Sequence, residues 1–63
     1  MHTLKALREA KGLLQKDVAA AIGVSRTTYV KYESGSSEPS YKILVRLAEF
    51  FDVSVDHLLG RTE

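Results

Sequence analysis

The 63-residue sequence predicts an all-α fold, a compact bundle of five short helices, on three observations. Apolar residues recur at helical rather than alternating spacing. Gly12, Gly23, Gly35, Pro39 and Gly60 break the chain at short intervals and leave segments of helical length between them. Four of the five segments are preceded by Ser or Thr, the side chains that accept the unpaired amides of a first helical turn.

The first segment is residues 3–11, with Thr3 as N-cap, Leu4 and Leu7 on one face, and Gly12 as terminator. The second is residues 15–22, where Val18, Ala19 and Ile22 share a face and Gly23 ends the helix. Here Leu14 stands at the N-cap, and leucine offers no acceptor; the missing cap costs ~1 kcal/mol. The third is residues 26–34, capped by Ser25 and stopped by Gly35. The fourth, residues 41–51, follows Ser40, with Pro39 blocking an earlier start and Leu44, Leu47, Ala48 and Phe51 as its apolar stripe. Phe50 and Phe51 are adjacent, so one is core and the other exposed or interfacial. The fifth is short, residues 55–59, between Ser54 and Gly60. The alternation across residues 51–55 reads as a turn, because Asp52 and Ser54 fall inside it.

Length and composition limit the function. A chain of 63 residues is one domain and buries only about 60% of its unfolded surface, so its stability rests on regular helix packing and on dimerisation. It has no cysteine, and His2 and His57 are far apart, so no thiolate, metal site or cofactor is expected. An enzyme is disfavoured: no histidine lies near a plausible nucleophile, and so short a chain can hardly enclose a pocket. The longest uncharged stretch, residues 18–25, is too short for a membrane span, and no apolar run of a signal peptide follows the N-terminus. Net charge is only +1, but residues 1–31 hold six basic side chains against two acidic, and residues 32–63 three against six. That asymmetry suits a polyanionic partner of the basic half, or else an ordinary mixed surface.

The second and third segments carry the most information. Two helices of about two turns, joined by Gly23-Val24-Ser25, make a helix-turn-helix over about residues 15–34. Ala19 allows the two helices to approach, Gly23 supplies a positive φ, and Val24 points inward to join Val18, Ile22, Tyr29 and Tyr32 in one cluster. At about 100° per residue, Tyr29 and Tyr32 fall on one side of the third segment, with Glu33 at its edge. The other side holds Arg26, Thr27, Val30, Lys31 and Ser34 and no carboxylate. Such a face fits a DNA major groove: Arg and Lys bond guanine, Thr bonds base or phosphate, and Val or Thr methyls touch thymine.

In its ordered motifs the chain resembles the Cro/CI (XRE) helix-turn-helix family of phage repressors and bacterial regulators. The resemblance rests on Leu7-Arg8, Gly12-Leu13, Gln15, Val18-Ala19, Ile22-Gly23-Val24-Ser25, Tyr29, Tyr32-Glu33-Ser34-Gly35, Pro39, Leu44, Leu47-Ala48, residues 51–56 and Leu58-Leu59-Gly60. It implies a lambda repressor-like DNA-binding fold for residues 1–63 and a cytoplasmic, nucleoid-associated regulator of bacterial or phage origin. It also implies that Gln15 bonds a phosphate, that Arg26, Thr27 and Lys31 read bases, and that Arg8 and Glu33 pair between the first and third helices, with Arg8 also near a phosphate. His57 falls where the family often has an aromatic near the dimer interface, or is a surface histidine. Two departures stand out: Leu14 replaces the usual Ser or Thr cap, and Ser36-Ser37-Glu38 replaces an often basic loop.

The expected function is sequence-specific binding of double-stranded operator DNA by a transcriptional regulator, as a homodimer on an inverted repeat. Lys5, Arg8, Lys11, Lys16, Arg26 and Lys31 supply general attraction. Base reading is assigned to Arg26, Thr27, Thr28, Val30 and Lys31. Phosphate contact is assigned to Gln15, Lys16, Arg8, Ser25 and Ser36, and the dimer interface to Val55, His57 and Leu58. The alternative is an antitoxin-like or other protein-interaction module in which DNA is secondary.

Overall fold

The structure, a computed structural model, describes residues 1–60. Its five helices are α1 (His2–Ala10), α2 (Gln15–Ile22), α3 (Arg26–Ser34), α4 (Tyr41–Phe51) and α5 (Val55–Leu58), and no strand occurs among the described residues. α2 packs on α3 and α4, α1 on α3 and α5, and α4 on α5. Leu4, Val18, Ala19, Ile22, Tyr29, Tyr32, Leu47, Ala48, Phe51 and Leu58 form one buried core, with every helix contributing.

Three serine caps have the geometry expected of them. Ser25, Ser40 and Ser54 accept from the amides of Thr28, Ile43 and His57 at 3.1, 3.3 and 3.0 Å. Thr3 is not a cap: α1 begins at His2 and its N-cap residue, Met1, makes no side-chain cap bond. Thr3 therefore lies two residues past the N-cap, inside the first turn, and not at the capping position. In α4, Leu44 is half-buried outside the core, and Ile43 packs against the core in its place. Phe51 is buried and Phe50 half-buried, and their rings meet edge to face at 5.0 Å. Phe50 is thus partly core as well.

The turn between α2 and α3 closes the end of α2 on a left-handed glycine. Gly23 adopts φ 80°, and from there its own amide and that of Val24 each reach Ala19 O at 3.0 Å. Arg46 of α4 adds an unanticipated cap, donating from Nη1 to Ile22 O at 3.2 Å. It ties the helix-turn-helix to the scaffold. Asp52 closes α4 in the same way at φ 57°, with Val53 N reaching Ala48 O at 2.9 Å.

The start of α2 is the weak point. Leu14 is extended, makes no side-chain cap bond and is 58% exposed. Only the reciprocal half of a capping box exists, Leu14 N donating to Asp17 Oδ2 at 2.9 Å. Because so little of Leu14 is buried, Leu14→Thr should raise stability by ~0.5–2 kcal/mol. Denaturant midpoints of the two proteins measure this, and a destabilised Thr variant would show that Leu14 packs more than it costs.

Candidate nucleic-acid interface

α1, α2 and α3 converge on one polar hub. Glu33, near the end of α3, accepts from Arg8 Nε at 2.6 Å and Arg8 Nη2 at 3.2 Å, a bidentate pair whose side chains are 13% and 5% exposed for Arg8 and Glu33. Arg8 Nη1 donates to Leu13 O at 2.9 Å, fixing the link between α1 and α2. Gln15 Nε2 reaches the second Glu33 oxygen at 3.2 Å. Burial alone would raise the Glu33 pKa, but the bonds from Arg8 and Gln15 and the nearby Tyr29 hydroxyl outweigh it, so the carboxyl lies below its ordinary value. Tyr29 lies beneath, fully buried; burial and then the Glu33 carboxylate push its pKa up, and its hydroxyl makes no hydrogen bond of acceptable geometry.

The hub opens onto two adjoining grooves. Arg8, Leu14, Gln15, Lys16 and Arg26 line one; Lys5, Arg8, Gln15, Val30, Glu33 and Ser34 line the other. The only carboxylate lining either is Glu33, and Arg8 already compensates it. Lys5, Lys16 and Arg26 are exposed around it, so the surface here is net positive. Thr27 and Lys31 are exposed further along α3, and Val30 is half-buried between them and α1.

Several predicted site residues are spoken for within the fold. The Ser25 hydroxyl caps α3 and donates to Thr28 Oγ1 at 2.9 Å, which uses the Ser25 proton and leaves half-buried Thr28 with its own hydroxyl proton to give. Ser36 is exposed and bonds the Ser34 hydroxyl at 3.0 Å. Val55 and His57 are half-buried on α5 and line neither groove. Leu58, assigned to a dimer interface, is 1% exposed and belongs to the core of its own chain, so it has no surface to offer a partner. The exposed leucine at that end is Leu59, at 40%. Leu14 is the groove residue that sequence reasoning did not assign to the site; its only signal was the absent cap.

This arrangement agrees with what known proteins show. A family described as helix-turn-helix matches residues 4–58. The chain belongs to the Cro/CI (XRE) helix-turn-helix family. It is 45% identical over 58 residues to the uncharacterized HTH-type transcriptional regulator YqaE of Bacillus subtilis, covering 92% of this chain and 50% of that protein. It is 43% identical over 54 residues to the cryptic phage CTXphi transcriptional repressor RstR of Vibrio cholerae, covering 86% of this chain and 48% of the repressor. The crystal structure of a transcriptional regulator from Listeria innocua superposes with a TM-score of 0.89 at 33% identity, over 97% of this chain and 57% of that one. The chain thus spans about half the length of these relatives. No helix among the described residues is long and apolar enough to cross a membrane.

Proposed function

We propose that this domain binds double-stranded DNA as part of a transcriptional regulator of repressor type, with α3 entering the major groove. The observation that carries this reading is the exposed, carboxylate-free face of α3, which displays Arg26, Thr27 and Lys31 beside a groove where Arg8, Gln15 and Lys16 lie. Arg26, Thr27, Val30 and Lys31 contact base edges. Gln15 and Lys16 hold the backbone, and the uncapped first turn of α2 presents its amides to the same phosphates. Arg8 keeps Gln15 in place through Glu33 and has little freedom left to move. The domain acts as a homodimer on an inverted repeat, with recognition helices about 34–36 Å apart, since one short helix reads too few bases to find a site in a genome. Val55, His57 and the exposed Leu59 form the contact.

Selection from random duplex DNA tests the whole reading: an inverted repeat is expected, with two chains per site. Absence of any enriched sequence would favour a protein-interaction role instead. The division of labour has its own test, in binding to selected and scrambled duplexes over a salt series. Arg26→Ala and Lys31→Ala should each cost about 1–3 kcal/mol on the selected site and relax preference at one position. Lys16→Ala should weaken both duplexes alike and reduce the salt slope by about one unit. Equal losses on both DNAs for Arg26→Ala and Lys31→Ala would make these residues electrostatic anchors only.

A further inference from the structure

Among the described residues three large apolar side chains are exposed: Tyr41 at 73%, Leu14 at 58% and Leu59 at 40%. Of these, Leu14 alone lies inside the basic groove, between Arg8, Gln15, Lys16 and Arg26. Its presence there is not explained by folding. A polar cap at this position would stabilise α2, and the leucine side chain is mostly outside the core.

We infer that Leu14 is a DNA-contacting residue, packing its side chain on a deoxyribose of the backbone strand that Gln15 and Lys16 hold. This rests on the DNA reading above and extends it from charge to apolar contact. The partner chemistry follows from the surroundings. Leu14 immediately precedes Gln15 and Lys16 at the start of α2, so on the DNA reading it meets the backbone strand those two hold; of the residues lining the groove with it, only Arg26 is assigned to base edges. Between two phosphates drawn to cationic and amide donors, the strand presents the C–H surface of one sugar. An aliphatic group fills that gap, and water leaves both surfaces on contact. The fold thereby gives up a helix cap in exchange for affinity, a trade-off seen where stability and function compete for one position.

A sugar contact is the same on every sequence, so a mixed-sequence duplex is a sufficient probe. Wild type, Leu14→Ala and Leu14→Thr, each as the full chain, are titrated with it at several salt concentrations, with the selected operator as a second duplex for comparison, alongside thermal melts. Both variants should bind about three- to tenfold more weakly, from the exposed apolar area of one leucine. The slope of log affinity against log salt should not change, because no cation is removed. Leu14→Thr should melt no lower than wild type, which separates lost binding from lost folding. Wild-type affinity in both variants would overturn the inference and leave the DNA reading standing. So would a loss confined to a selected operator, which means base reading, or a slope smaller by about one, which means a disturbed phosphate contact. If wild type binds no duplex at all, the functional reading itself fails, and this one with it.

Discussion

Arg8→Ala should lower the stability of the domain by about 3 kcal/mol, the cost of stranding one member of a buried pair. That is a large share of what about sixty residues provide, roughly 3–9 kcal/mol in all. The loss arises because Glu33, 5% exposed, keeps its burial and loses its bidentate partner, while Leu13 O loses a donor as well. Urea melts measure the effect, and a loss under about 0.5 kcal/mol would place the pair with ordinary surface ion pairs. The pH dependence has a definite sign. In wild type the folded Glu33 pKa lies below its ordinary value of 4.5. Its contribution is therefore complete above that value and is lost as pH falls through the depressed one. In Arg8→Ala the strongest of the lowering contacts is gone while burial remains, opposed only by Tyr29 and Gln15, so the Glu33 pKa lies higher than in wild type and acidification costs the variant less. The gap between the two proteins should narrow as pH falls from 7 to about 4. A gap that stays constant would show that Glu33 is not the group left stranded.

Leu58→Ala is expected to be comparably damaging, about 3 kcal/mol from lost burial and the cavity left behind. Leu58 comes from a helix of only four residues and is 1% exposed, so α5 is held to the bundle largely through it. The loss should be the same at all protein concentrations, because the contact is made within one chain. Thermal melts across a dilution series decide the point. A deficit that grows on dilution would mean that Leu58 stabilises an assembly instead. Leu59→Ser should behave in the opposite way, with little change in the melting of a dilute chain and weaker pairing on DNA.

What the sequence disclosed follows the range of the interactions involved. The helices, their serine caps and the Gly23 turn depend on residues a few positions apart, and periodicity and punctuation report those directly. Arg8 and Glu33 were visible only by resemblance, since nothing local to either names a partner 25 residues away. The Arg46 bond to Ile22 O and the Gln15 bond to Glu33 gave no signal, because both join elements whose relative placement the pattern does not specify. Leu58 was misread for a related reason: four residues are too few for an apolar stripe to reveal which side faces inward. At α1 the hydroxyl of Thr3 suggested a cap, but helix formation began earlier, and such boundaries shift by a residue or two.

α3 divides its residues between two tasks that scarcely overlap. Tyr29, Tyr32 and Glu33 moor it, while Arg26, Thr27 and Lys31 stand in water with no part in the core. Changes among the latter touch neither packing nor the hub, and substitutions at such positions usually move stability by less than about 0.5 kcal/mol. The scaffold is therefore a holder with an exchangeable key. A lineage, or a designer, can rewrite the displayed letters of this helix one at a time without passing through an unfolded intermediate.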